Sequence, residues 1–129
     1  MARILIAEDE PSVRDFITRA LKGVGHEVEA VVDGSDALAA LTRARSIGLP
    51  HELLLTDILM PVMDGISLAL SAARDAPGLP VVLMTGYSDQ RERAHGLDAI
   101  IKDILLKPFT LNELVERIDA VLAETPPLR

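Results

Sequence analysis

Five residues could do chemistry together. Glu8 and Asp9 follow the apolar run Ile4 to Ala7. Asp57 follows Leu53, Leu54, Leu55 and Thr56. Thr85 closes the run Val81 to Met84, and Lys107 follows Ile104 to Leu106. Brought close, three carboxylates repel one another, so one stays protonated or a cation neutralises them. Oxygen-only donors suit a hard divalent ion, Mg2+ or Mn2+. Carboxylate is also a competent nucleophile toward phosphorus, giving an aspartyl phosphate. Phosphoryl transfer needs little beyond positioning and charge neutralisation. Lys107 would bring a positive point charge to the phosphoryl oxygens. Thr85 would offer a hydroxyl donor.

Each of these residues stands at the exit of a short apolar run, and such runs read as strands buried on both faces. The runs begin at Ile4, Val28, Leu53, Pro80 and Ile104. The second, Val28 to Val32, is the least apolar and is expected at an edge. Between them lie helical patterns. Pro11 suits a first helical turn. Val13, Phe16, Ile17, Ala20, Leu21 and Val24 then recur at i, i+3, i+4. Ala37, Leu38, Leu41 and Ala44 mark a second helix; Ile66, Ala69, Leu70 and Ala73 mark a third. Ser88 to Asp98 is polar with little periodicity and is read as a fourth helix. Thr110 and Glu113 form a capping box. Leu111, Leu114, Val115, Ile118, Val121 and Leu122 follow as the clearest helical face of the chain. Five strands alternating with five helices predict an α/β fold with a parallel sheet covered on both sides. In such sheets ligands sit outside the carboxyl ends of the strands, where Asp57 stands.

The chain has 129 residues, one domain's worth, and 49% are hydrophobic, enough for one core. Net charge is −7, which argues against nucleic acid as a direct partner. Cysteine is absent, so disulfides and thiolate metal sites are excluded. No apolar run approaches the about 20 residues of a membrane span. No signal peptide is recognised at the start, and a cytoplasmic protein is the expectation. His26, His51 and His95 share no metal-ligand spacing and are expected at the surface. Met60, Met63 and Met84 are expected in packing.

The segment Thr56-Asp57-Ile58-Leu59-Met60-Pro61-Val62-Met63-Asp64-Gly65 resembles the phosphoacceptor segment of response regulator receiver domains. Glu8-Asp9, Thr85 and Lys107-Pro108 match in order. The resemblance implies a CheY-like, flavodoxin-like (βα)5 fold with strand order 2-1-3-4-5. In that order strands 1, 3, 4 and 5 are neighbours, so the five residues converge on one crevice. It implies that Asp57 accepts the phosphoryl group. Asp9 and Asp57 would bind metal by side chain, Glu8 through water and Leu59 by its backbone carbonyl. Thr85 would bond the phosphoryl group, Lys107 would pair with it, and the bond to Pro108 would be cis. A histidine kinase or histidine phosphotransferase is implied upstream.

Two positions depart from the family pattern. Most receivers carry an aromatic switch residue three positions before the lysine; here it is Ile104. Tyr87, two residues after Thr85, is read as its substitute. Leu59 leaves no polar side chain to place a hydrolytic water, which predicts a long-lived aspartyl phosphate. Residues 1–124 are read as the receiver and 125–129 as a short tail, with no output domain. Output is then expected through protein binding, by a monomer or weak dimer, on the face around Ser88 to Asp98 and the fifth strand. The opening Ala7-Glu8-Asp9-Glu10, the run Met84-Thr85-Gly86-Tyr87 and Ile104 are similar to the CpdR group of receivers. That group implies a ClpXP-type protease as target, engaged by the unphosphorylated form. The rival reading is a metal-dependent phosphohydrolase with Asp57 as nucleophile. It lacks a second acid at Leu59 and a substrate cap. A flavin-binding fold would need a phosphate loop where Glu8-Asp9-Glu10 would repel phosphate.

Overall fold

The computed structural model describes residues 2–86, 96–97 and 99–124. Five strands, β1 (Arg3–Ala7), β2 (Glu27–Val31), β3 (Leu53–Asp57), β4 (Val81–Thr85) and β5 (Ile101–Leu106), form one sheet. Its order is β2-β1-β3-β4-β5, and every pairing is parallel. Four helices are described: α1 (Pro11–Gly23), α2 (Gly34–Ser46), α3 (Gly65–Asp75) and α4 (Leu111–Glu124). The helix expected over Ser88 to Asp98 lies almost entirely outside the described residues.

Strand side chains alternate between two faces. Leu5, Ala7, Leu54 and Leu83 point toward α2 and α3, where Ala37, Leu41, Leu68 and Ala72 cover them. Ile4, Ile6, Leu55, Val82, Met84 and Leu105 point the other way, onto Ile17 and Leu21 of α1 and Leu114 and Ile118 of α4. Each fully buried leucine or isoleucine contributes about 1.5–3 kcal/mol. β3 and β4 are buried along their whole length, as their unbroken apolar runs require.

Side-chain caps set several helix starts. Asp33 accepts from the Asp36 amide at 2.8 Å, and Asp64 accepts from the Ser67 amide at 2.8 Å. The capping box is present: Glu113 N–H donates to Thr110 Oγ1, and Thr110 N–H donates to Glu113 Oε1. α1 begins with Pro11 and has no side-chain cap.

Several expectations shift. β2 starts one residue before Val28, at Glu27. β5 starts at Ile101 rather than Ile104, because Lys102 and Asp103 interrupt its apolar run while pairing with β4 continues across a register shift that leaves Lys102 unpaired in the ladder. On α3 the buried residues are Gly65, Leu68, Ala69 and Ala72, whereas Leu70 is exposed. The helix is rotated from the expected face because Gly65 must lie against β3. Phe16 is half-exposed and packs its ring against Phe109, 6.5 Å between centroids. Val24 lies past the end of α1 and is also exposed.

Two histidines expected at the surface are enclosed instead. His51 is buried; its Nε2 lies 2.9 Å from Glu29 Oε1, while its Nδ1 is buried without a hydrogen-bond partner. His26 Nδ1 accepts from the Ala2 amide, and its Nε2 lies 3.3 Å from Asp119. His95 lies outside the described residues.

Candidate phosphoacceptor and metal site

Register brings the acidic residues together. Ile6 pairs with Leu55, Asp57 pairs with Met84, and Met84 pairs with Leu105. All five point to the α1/α4 side, Asp57 by its place two residues after Leu55. One step beyond, Glu8 and Lys107 continue β1 and β5 on that side. Lys107 Nζ donates to Glu8 Oε1 and to Asp57 Oδ2, both at 2.7 Å. Residues 8, 57 and 107 are thus joined by two charge-assisted bonds, although the bonded pairs lie 99 and 50 positions apart in the sequence.

Glu8 is fully buried, and its second oxygen accepts from the Glu10 amide at 3.1 Å. Burial raises its pKa above the ordinary value, against the Lys107 bond, which lowers it. Burial alone would lower the Lys107 pKa. The bonds to Asp57 and Glu8 outweigh that, and the net direction is upward, so the ammonium is held charged. Asp9 is exposed at the rim. One carboxylate oxygen from each of Glu8, Asp9 and Asp57 lies within 4.8 Å of the others. This all-oxygen, anionic set is what a hard divalent cation requires. The residues present therefore fit Mg2+, with Lys107 as the internal cation sharing Glu8 and Asp57.

Of the remaining expected residues, Thr85, Pro108 and Leu59 are described. Thr85 ends β4, is buried, and its carbonyl accepts from the Lys107 amide at 2.7 Å. The Lys107–Pro108 peptide bond is cis. Leu59 is 46% exposed and follows Asp57 by two residues, so a side chain there is free to meet an approaching group. Tyr87 lies outside the described residues.

Three residues support this cluster: Arg14 was not singled out by sequence, and Gly65 and Thr56 lie in the quoted motif without an assigned role at the site. Arg14 Nη1 donates to the Glu8 carbonyl at 2.9 Å, tying α1 to the acidic turn. Gly65 N–H donates to the Ile58 carbonyl at 2.8 Å, and a Cβ on Gly65 would overlap the Asp57 carbonyl oxygen. Thr56 Oγ1 donates to that same carbonyl at 3.0 Å. The motif placed Gly65 in a turn; only the close approach shows why no other residue fits.

A model of the response regulator receiver domain family matches residues 4–119. The chain belongs to the response regulator receiver family. Its curated relatives include the response regulator MprA of Mycobacterium leprae, 38% identical over 125 residues, 97% of this chain. The alignment covers 53% of that relative, so the chain spans about half its length. Among solved structures, a CheY-like receiver domain protein from Methanospirillum hungatei is 29% identical with a TM-score of 0.85. The alignment covers 96% of this chain and 95% of that one. TrrA of Thermotoga maritima, solved in complex with Mg2+ and BeF, is 26% identical with a TM-score of 0.78. That alignment covers 94% of this chain and 99% of TrrA. As a receiver, the chain carries the fold of two-component signalling, and Glu8, Asp9 and Asp57 form an acidic group able to hold a metal. No described helix is long and apolar enough to cross a membrane.

Proposed function

We propose that Asp57 is the phosphoacceptor of a signalling switch and that its phosphorylation state selects a protein partner. The observation that carries this is the contact of Asp57 with Lys107 beside Glu8 and Asp9. Asp57 Oδ attacks phosphorus, an O–P bond forms, and the donor leaves with the electrons of its own bond to phosphorus. Asp9, Asp57, Glu8 and the Leu59 carbonyl would hold Mg2+, which supplies charge neutralisation between two anionic reactants. Lys107 offers its ammonium to the phosphoryl oxygens, and Thr85 stands at the neighbouring strand end to donate its hydroxyl. Tyr87 is proposed to report the change of state in place of an aromatic at position 104.

The phosphodonor is a histidine kinase or histidine phosphotransferase, and the compartment is the cytoplasm, where such donors work. Downstream, the net charge of −7 favours a protein over nucleic acid as the partner of this domain. A ClpXP-type protease, bound in the unphosphorylated state, is the target proposed from the motif resemblance. Capture of purified ClpXP by the unphosphorylated but not the phosphorylated form tests it; equal capture refutes it.

Intact-mass spectrometry with acetyl phosphate tests the central reading. The expected result is a phosphoryl adduct that needs Mg2+ and is lost in Asp57→Ala. An adduct that survives in Asp57→Ala refutes it, and so does steady release of phosphate from a generic phosphomonoester.

A further inference from the structure

The Asp57 carbonyl leaves β3 at the edge of the site, and two neighbours meet it. Gly65 lies so close that a Cβ there would overlap the oxygen. Thr56, fully buried, donates its hydroxyl to that oxygen at 3.0 Å. The same hydroxyl is 3.8 Å from the Met60 sulfur, three residues beyond Asp57. The next peptides are tied as well: Ile58 N–H donates to the Met84 carbonyl at 3.0 Å, and the Ile58 carbonyl accepts from Gly65 at 2.8 Å. The Asp57 carbonyl and both backbone groups of Ile58 are thus held on the way to Leu59.

We infer that Thr56 is a positioning residue for the phosphoacceptor, acting through the Asp57 peptide. The inference rests on the reading of Asp57 as phosphoacceptor. A strand position between Leu55 and Asp57, buried on the α2/α3 side, is where an aliphatic side chain would pack best. A hydroxyl there must be desolvated and must find a partner. The partner it finds is the main chain of the nucleophile. An isosteric valine fills the same space but leaves the Asp57 carbonyl without that donor. The peptide is then free to turn toward another one. Rotation about that peptide moves the Asp57 carboxylate against Glu8 and Asp9, and moves the lead into Leu59. Outer partners that orient metal-binding groups act this way, and their loss weakens metal binding by about tenfold or more.

The test compares wild type, Thr56→Val and Thr56→Ser. The readouts are the Mg2+ dissociation constant by calorimetry, the melting temperature, and the rate of phosphorylation by acetyl phosphate. Thr56→Val is expected to bind Mg2+ about tenfold more weakly, with phosphorylation slowed in step and melting little changed. Thr56→Ser, which keeps the donor, is expected to restore both. Equal Mg2+ affinity in all three overturns the inference, as does a valine variant that melts lower with unaltered Mg2+ binding. If the valine variant does not fold, Thr56→Ala makes the same comparison. A wild type that takes no phosphoryl group would instead remove the reading beneath it.

Discussion

Glu8 is the residue whose surroundings differ most from those its sequence neighbours suggest. Glu8 opens a run of three acids, and it is enclosed while Asp9 and Glu10 stay exposed. Burial raises its pKa above the ordinary 4.5, with Lys107 opposing. The folded state therefore binds that proton more tightly than the unfolded chain. The associated stability is fully present below pH 4.5 and is lost as pH rises through the raised folded value. Glu8→Gln does not titrate. In Mg2+-free buffer its melting temperature relative to wild type should climb as pH rises above 4.5. A difference that stays flat with pH would contradict this. Leu59 makes a second prediction at this scale. Leu59→Asn should shorten the aspartyl-phosphate lifetime by supplying a polar group beside the water's approach; decay of the adduct by mass spectrometry measures it.

At the scale of elements, the segment between β3 and α3 carries the site and is held from several directions. Gly65 lets α3 start against the carbonyl of Asp57. Gly34, the first residue of α2, approaches Met63 so closely that a Cβ would fall 2.9 Å from its side chain. Between them Val62 has φ 72° while Met63 N–H donates to the Pro61 carbonyl at 2.8 Å, a γ-turn with a strained β-branched centre. Gly65→Ala should cost about 1–3 kcal/mol from overpacking. It should also slow phosphorylation, since the residue that must move is Asp57 itself. Chemical denaturation and adduct formation measure the two effects. The capping box of α4 is a purely structural counterpart. Thr110→Ala should cost about 1 kcal/mol and leave Mg2+ affinity unchanged.

For the whole molecule, the sheet order decides the electrostatics. Placing β1, β3 and β5 with their carboxyl ends on one side gathers Glu8, Asp9, Asp57 and Lys107. A cation that binds this folded group and not the unfolded chain must stabilise the fold. Saturating Mg2+ should raise the melting temperature of wild type, and Asp57→Ala should abolish most of the rise. A rise that persists in Asp57→Ala would place the ion elsewhere.

Much of this was legible from residues in order. The apolar runs, the turn residues and the polar group at each strand exit determined a five-stranded parallel α/β domain. The motif from Thr56 to Gly65 determined the family, because a strand-end aspartate followed by Pro61 and Gly65 is a local pattern. Local patterns need only neighbours along the chain. What the tertiary structure decided was which distant groups meet. The bonds of Lys107 to Glu8 and Asp57, the enclosure of Glu8 and His51, and the contact of Gly65 with the Asp57 carbonyl depend on strand register and helix rotation. Those are set by packing between elements far apart in sequence, and no spacing along the chain encodes them.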